Sequence, residues 1–142
     1  MGWRTPKTDW NVRMDEQGRY AGDYFGIDDY NRIKNNIQFI HNLSVKMYED
    51  FEITDMGTDK GYADYPYADE INIIENNLET MAENTFRKNY GMKQIYADNG
   101  KFIGHEELNR IESVLLDMYN RLMGQYNGRR MLTFMFGSRE AV

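Results

Sequence analysis

A nine-residue stretch occurs three times in this chain in altered form. The first copy is DYNRIKNNI at 29–37, the second is EINIIENNL at 70–78, and the third is ELNRIESVL at 107–115. The copies are separated by 41 and then 37 residues, a period typical of one supersecondary unit per repeat. Because such a unit cannot bury its own apolar face, the repetition predicts three units that pack on one another.

Each copy begins an apolar pattern with the spacing of three and four residues that is typical of a helix seam. The pattern predicts helices at about 27–50, 68–89 and 105–126. Thirteen of the fifteen seam positions are apolar when the first tyrosine is counted, and the other two are Ser44 and Thr85 at equivalent places. The apolar seam residues are Tyr30, Ile33, Ile37, Ile40, Ile71, Ile74, Leu78, Met81, Leu108, Ile111, Leu115, Met118 and Leu122.

At 142 residues the chain is expected to form a single domain with one core. We predict a mainly α fold, a three-helix bundle built from three hairpin-helix repeats. The expected bounds are about 7–50, 51–90 and 91–126 for the repeats, followed by a C-terminal strand at about 131–136.

Turn-forming residues precede two of the predicted helices. The run from Asn11 to Gly22 turns at Gly18, and Asn99 with Gly100 is a strong signal for a two-residue hairpin loop. The middle repeat lacks a clear equivalent, although Phe51 to Thr54 could form a short strand. The final strand is apolar on both faces, so it is either buried within the domain or paired with another chain.

The repeats place asparagine directly after the first seam residue of each helix, and arginine follows it in two copies. One interpretation is a polar binding surface. The interpretation we favour is that each asparagine bonds the backbone of the preceding loop and holds it to the start of the helix, because polar side chains at helix entrances commonly serve the backbone. The residues concerned are Asn31, Asn72, Asn109, Arg32 and Arg110.

Charge and composition exclude several classes of function. A net charge of −6 argues against nucleic acid as a partner. The absence of cysteine excludes disulfides and thiolate metal sites. No apolar run approaches the roughly 18 residues that span a bilayer, so no membrane insertion is expected. We therefore expect the chain to be made in the cytoplasm.

Catalytic and metal-binding patterns are also missing. His41 and His105 have no metal-ligand spacing. The carboxylates of the acidic loop, Asp55, Asp59 and Asp64 among them, do not follow the spacing of an EF-hand. No serine lies in a known nucleophile motif. The sequence predicts no catalytic residue, no metal and no cofactor.

Aromatic residues make up 14% of the chain, and there are ten methionines. Both types are common at interfaces as well as in cores. A rival interpretation to an assembly interface is a module that binds cell-wall carbohydrate by aromatic stacking. The candidate interface residues are Trp3, Trp10, Tyr62, Tyr65, Tyr67, Leu132, Phe134 and Phe136. For the two tryptophans, the interpretation we favour is that they fold the N-terminal arm back onto the helices.

The run PKTDW at 6–10, followed by DYNRIKNNI, resembles modules of small structural proteins of tailed bacteriophages and prophages of Gram-positive bacteria. The later runs YADEINIIENNL and GHEELNRIE are similar, with Ile73 where the pattern has arginine. The resemblance implies a non-enzymatic virion protein of the tail tip, baseplate or fibre attachment, made in the host bacterial cytoplasm. It implies as partners other copies of the chain and neighbouring virion proteins.

Overall fold

The chain forms three helices, α1 (Ile27–Met47), α2 (Ala68–Asn84) and α3 (His105–Met135). The mainly α prediction is confirmed, and the described part of the chain contains no sheet. None of the helices formed by these residues is long and apolar enough to cross a membrane. The structure is a computed structural model that describes residues 2–11, 14–19, 22–61, 68–87, 90–91, 93–97 and 103–135.

The helix starts follow from local chemistry. Gly26 is the N-cap of α1, and its backbone N–H donates to the Asp29 carboxylate at 3.0 Å. Asp28 and Asp29 place negative charge at the positive end of the helix dipole. The first intrahelical bond of α1 runs from Tyr30 N–H to the Gly26 carbonyl, and an equal bond of 3.0 Å joins Leu108 to Gly104 at the start of α3.

Two helices end earlier than the sequence predicts. α1 stops at Met47 because Tyr48 adopts an extended backbone while its N–H still bonds Ser44. α2 stops at Asn84, after which Arg87 has a φ of 53° and donates its N–H to Ala82 at 2.8 Å. A left-handed residue in that position satisfies a free carbonyl at a helix C-terminus.

The prediction of a C-terminal strand at 131–136 is wrong. The backbone of α3 continues as helix to Met135, past its predicted end at Tyr126, and Phe136 lies outside the described residues. Leucine and methionine are good helix formers, and an interior glycine costs only about 1 kcal/mol. Gly124 and Gly128 therefore do not end the helix.

All thirteen apolar seam residues are buried: twelve are at most 2% exposed, and Leu78 is 5% exposed. The polar seam residue Ser44 is buried too. The core residues from outside the seam are Trp10, Leu43, Met47, Phe51, Ile103 and Val114. The core thus lies where the apolar seams of the three helices pack against one another.

The three helices run in the same direction. Near their first turns, Arg32 of α1 bonds Glu112 of α3, and Arg110 of α3 bonds Glu75 of α2. At the other end, Tyr48 just after α1 contacts both Phe86 after α2 and Gln125 late in α3. In a single chain, parallel helices require each connection to return along the length of the bundle.

The predicted hairpins fall mostly on positions that the structure does not describe. For the first, residues 12, 13, 20 and 21 lie outside the described ranges, while Asp15 and Arg19 bond each other across a turn. For the second, the Asn99 and Gly100 turn lies outside them altogether. Residues 51–54 are described and are not a strand.

Candidate functional site

Extended segments lie in the grooves between neighbouring helices. The N-terminal segment (2–11) bonds α1 and α3, and the middle segment (51–61) bonds α1 and α2. The third segment (90–97, of which 92 is not described) bonds α2 and α3. These grooves are the candidate functional site, because they show how the bundle binds extended polypeptide.

Each of the three repeat asparagines holds one of these segments by its backbone. Asn31 bonds both the N–H and the carbonyl of Lys60, at 2.8 and 2.9 Å. Asn72 does the same to Tyr96, and Asn109 to Trp10. The expected bond from side chain to backbone is present, but its partner is not the loop that precedes the helix. Asn31 and Asn72 hold the connection that follows their helix, and Asn109 holds the N-terminal segment.

A second pair of asparagines, which our sequence interpretation missed, holds the other end of two segments. Asn36 bonds the N–H and carbonyl of Arg4, and Asn77 bonds those of Thr54. These two residues are separated by the same 41 positions as the repeat asparagines, and the position 37 residues further on is Val114. The repeat spacing was the signal that could have identified them. The third segment therefore lacks this bond.

A buried carboxylate joins the N-terminal segment to both neighbouring helices. Glu112 is fully buried and accepts from Arg32 at 2.6 and 2.9 Å, from the Trp10 indole at 2.6 Å and from the Lys7 backbone at 3.1 Å. Burial works to lower the pKa of Arg32, but its hydrogen bonds to Glu112 and then Asp29 outweigh this and raise the pKa. Arg32 and Glu112 thus form a buried ion pair with further hydrogen bonds to Asp29, Trp10 and Lys7.

Glu75 has the corresponding place in the α2–α3 groove. It is 1% exposed and accepts from Arg110 and from the Tyr96 hydroxyl. Arg110 also passes close beneath Gly91, where a Cβ would lie 2.9 Å from the arginine side chain. Gly91 has a φ of 96°, so both space and backbone conformation require glycine there.

The third possible pair of this kind is absent. Ile73 stands where the other two helices have Arg32 and Arg110, and Lys34 stands where they have Glu75 and Glu112. Lys34 is buried and donates instead to the Gly57 carbonyl and to Asp59, at 3.1 and 2.8 Å. The middle segment is held by this lysine.

Aromatic contacts fill two of the grooves. In the α1–α3 groove, Trp3 stacks on Tyr119 with ring centres 4.1 Å apart. In the α1–α2 groove, His41 meets Phe51 edge-on at 5.0 Å and its Nε2 lies 2.6 Å from the Phe51 carbonyl oxygen. His41 and Tyr119 occupy equivalent repeat positions, and the residue at the corresponding position of α2 is Ala82.

A cleft of about 510 Å³ lies in the α2–α3 groove, where the described residues form no such aromatic contact. Its wall is apolar at Leu78, Ala82 and Val114. Its rim carries charge of both signs, from α2 on one side and from the third segment and α3 on the other. The charged residues that line the cleft are Glu75, Glu79, Glu83, Arg87, Lys93 and Arg110.

The structure places the predicted interface residues in different settings. Trp10 is 4% exposed and belongs to the core, so its assignment to an interface is wrong, and Trp3 is half-buried against Tyr119. Neither tryptophan is an open stacking platform for carbohydrate. Leu132 and Phe134 lie on the helical backbone near the end of α3. Tyr62, Tyr65, Tyr67 and Phe136 lie outside the described residues.

Two of the four carboxylates weighed as calcium ligands have partners within the protein. Asp59 accepts from Lys34 and Asn35, and Asp55 accepts from the Gly57 backbone. Asp69 lies in the first turn of α2, and Asp64 is not described. Among the residues that the structure describes, no cluster of three potential ligands could hold a metal ion.

Comparison with known proteins adds no relative. No protein-family model matches this chain, and neither the curated proteins nor the solved structures give a match.

Proposed function

We propose that this chain is a non-enzymatic structural protein of a tailed-bacteriophage virion, acting through protein–protein assembly in the tail tip, baseplate or fibre attachment. The observation that carries the proposal is how its buried and half-buried asparagine side chains are used. Asn31, Asn36, Asn72, Asn77 and Asn109 all bond the backbone of extended segments. Such bonds hold a polypeptide in place without chemistry on a substrate.

The proposal includes an architecture of three related units. In each unit an extended segment precedes a helix and bonds both that helix and a neighbouring one. The segment of the first unit bonds α3, the helix of the third unit. Two ion pairs connect helices in the same cyclic order: Arg32 of α1 pairs with Glu112 of α3, and Arg110 of α3 pairs with Glu75 of α2. The link between α1 and α2 is a hydrogen bond from the Tyr30 hydroxyl to the Glu70 carboxylate, so every helix is bonded to both others, and the bundle is a rigid base for an assembly.

The end of α3 is the proposed contact with other copies. Among the α3 residues whose side chains the structure describes, which end at 128, Leu122 is the last buried one, and residues 124–128 are exposed. At 1.5 Å per residue, α3 with its 31 residues is about 46 Å long and α1 with 21 is about 31 Å long. The extra turns carry the apolar sequence MLTFM at 131–135. An apolar helix end beyond the bundle favours association with another chain.

Sedimentation velocity over a range of protein concentrations tests this proposal. We expect the full chain to form a concentration-dependent oligomer and a variant lacking residues 128–142 to sediment as a monomer with its bundle intact. A variant lacking only residues 137–142 is the matched control, because it keeps all of α3, and it should still associate. A full chain that stays monomeric at every concentration would contradict the proposal.

A further inference from the structure

Residues 126–135 of α3, the α3 extension, lie beyond the ends of the other two helices. The Tyr48 hydroxyl, just after α1, bonds Gln125 of α3 at 3.0 Å, and Arg121 of α3 lies over the ring of Phe86, just after α2. α1 and α2 thus end level with this part of α3. The α3 extension continues as helix for about 15 Å past it, at 1.5 Å per residue.

The α3 extension is amphipathic, and its apolar residues lie on the side of the helix opposite the seam. At about 100° per residue, their mean direction is roughly 160° from that of the α3 seam residues between Leu108 and Leu122. Gln125 and Arg129 continue the seam spacing instead. The apolar face of the α3 extension consists of Met131, Leu132, Phe134 and Met135. Because α1 and α2 pack on the seam side, a partner of this face approaches α3 from the other side.

The charge of the α3 extension is opposite to that of the rest of the chain. Its charged residues are Arg129 and Arg130, so it carries +2, and the other residues carry −8 because the total is −6. Two α3 extensions paired with each other would bring the arginines of both copies together, and like charges oppose such a contact. A basic amphipathic helix fits an apolar surface with acidic residues near it.

The opposite end of the bundle has that chemistry. The Asp23 carbonyl accepts from His105 at the start of α3, which places Tyr24 at this end. Tyr24 is 71% exposed, and Met14 in the preceding turn is 62% exposed. Because the three helices run in the same direction, their acidic first turns lie at this end as well. The exposed carboxylates of these turns are Asp28, Asp69 and Glu106.

From this complementarity we propose that the α3 extension of one copy binds the N-terminal end of the bundle of a second copy. Its apolar face lies against Met14 and Tyr24, and its arginines lie beside the acidic first turns. The two surfaces are at opposite ends of a helix about 46 Å long, so one molecule cannot bring its own two together. This contact rests on the proposed function, since it specifies where one copy meets the next. It joins two different surfaces, so it is head-to-tail and builds a ring or a filament.

Sedimentation velocity of full-length charge-reversal variants tests this contact. Asp69→Lys with Glu106→Lys leaves the α3 extension unchanged, and we expect association to weaken by about ten-fold or more. Arg129→Glu with Arg130→Glu should weaken it to a similar extent. An equal mixture of the two double variants should associate again, because the acidic extension of one then meets the basic end of the other.

The matched control is Glu52→Lys with Glu83→Lys, which makes the same change in net charge at exposed positions that follow α1 and lie in the last turn of α2. It should associate like the original chain. Loss of association in this control would show that only net charge matters and would overturn the proposed contact. Circular dichroism of each variant confirms that its helices are retained.

Cysteine cross-linking gives a second measurement without charge reversal at the arginines, because the chain has no cysteine of its own. Asp28→Cys and Asn127→Cys are exposed positions at the two ends. With one variant labelled with ¹⁵N, a short bismaleimide should link the two variants to each other. Links confined to Asn127→Cys alone mean that two extensions pair with each other, which contradicts the head-to-tail contact.

The failure of this contact is distinguishable from the failure of the proposed function. If the chain lacking residues 128–142 is monomeric while Asp69→Lys with Glu106→Lys associates like the original chain, the head-to-tail contact is wrong and the assembly role stands. If the full chain is monomeric at every concentration, both are wrong.

Discussion

The α1–α3 groove and the α2–α3 groove have the same framework and differ in how completely they are filled. In the first, the N-terminal segment is bonded at both ends, by Asn36 and Asn109, and Trp3 stacks between the helices. In the second, the third segment has one such asparagine, Asn72, and a cleft remains. Parallel helices leave grooves between them, and the extended segments lie in those grooves. How completely a segment fills its groove depends on a few side chains.

The largest expected difference between these grooves concerns their buried carboxylates. Glu112→Ala removes the acceptor of Arg32, the Trp10 indole and the Lys7 backbone, and should lower the free energy of unfolding by about 3–5 kcal/mol. Glu75→Ala leaves Arg110 beside an open cleft, where water can reach it, and should cost about 1–3 kcal/mol. Urea unfolding measures both. Equal losses would contradict the distinction between a filled and an open groove.

The repeat asparagines give the next effect. Asn109→Ala leaves the N–H and the carbonyl of Trp10 without their partner, and we expect a loss of about 1–3 kcal/mol in the free energy of unfolding. Asn120→Ala, an exposed position on the same helix, should change it by less than about 0.5 kcal/mol. If the two variants unfolded alike, the bonds to Trp10 would have no measurable role in stability.

The absent third ion pair can be tested by building it. Lys34→Glu alone should destabilise the chain, because it places a carboxylate against Asp59 and the Gly57 carbonyl. Adding Ile73→Arg should recover part of that loss, with a favourable coupling of about 0.5–3 kcal/mol in a double-mutant cycle. A coupling of zero would argue against the cyclic relation of the three helices.

Raising the pH above 10 should release the third segment from the α2–α3 groove before it releases the N-terminal segment from the α1–α3 groove. Burial, followed by a hydrogen bond to Asp117, raises the pKa of Tyr90, and burial with the Glu75 carboxylate raises that of Tyr96. A raised pKa in the folded state means that stability is constant below pH 10 and falls above it. Tyrosine absorbance and tryptophan fluorescence, followed together, should show tyrosine ionisation with loss of the third segment while Trp10 stays buried.

Tyr30 reports on the contact between α1 and α2 in that titration. Burial and the Glu70 carboxylate raise its pKa from 10.0 to about 12, so its contribution to stability also falls above pH 10 and is lost by about pH 12. Simultaneous loss of Trp10 burial and of the third segment would show instead that the bundle unfolds as one unit.

The helices and their core were predictable because they depend on local periodicity. A repeated spacing of three and four residues identifies which side chains face inward, and every apolar seam residue is buried. The groove contacts were not predictable in this way. Glu112 meets Lys7 across 105 residues of sequence, and no local pattern indicates which backbone a side-chain amide will bond.

Two errors have a physical explanation. The apolar run after Gly128 was interpreted as a strand from residue type, but helical propensity and continuity with α3 decided its structure. Trp10 was assigned to an interface because tryptophan is common there, although its indole N–H has a buried acceptor in Glu112. Aromatic composition alone does not separate a surface residue from one that closes a groove.

Hydrogen exchange of single backbone amides tests the central claim most directly, which is that side-chain amides hold extended segments in the grooves. The account predicts slow exchange at Trp10, Lys60 and Tyr96, whose N–H groups bond Asn109, Asn31 and Asn72, and fast exchange at exposed Ile95. In Asn109→Ala, protection should fall at Trp10 and persist at the other two. Unchanged protection of the Trp10 amide in that variant would contradict the account.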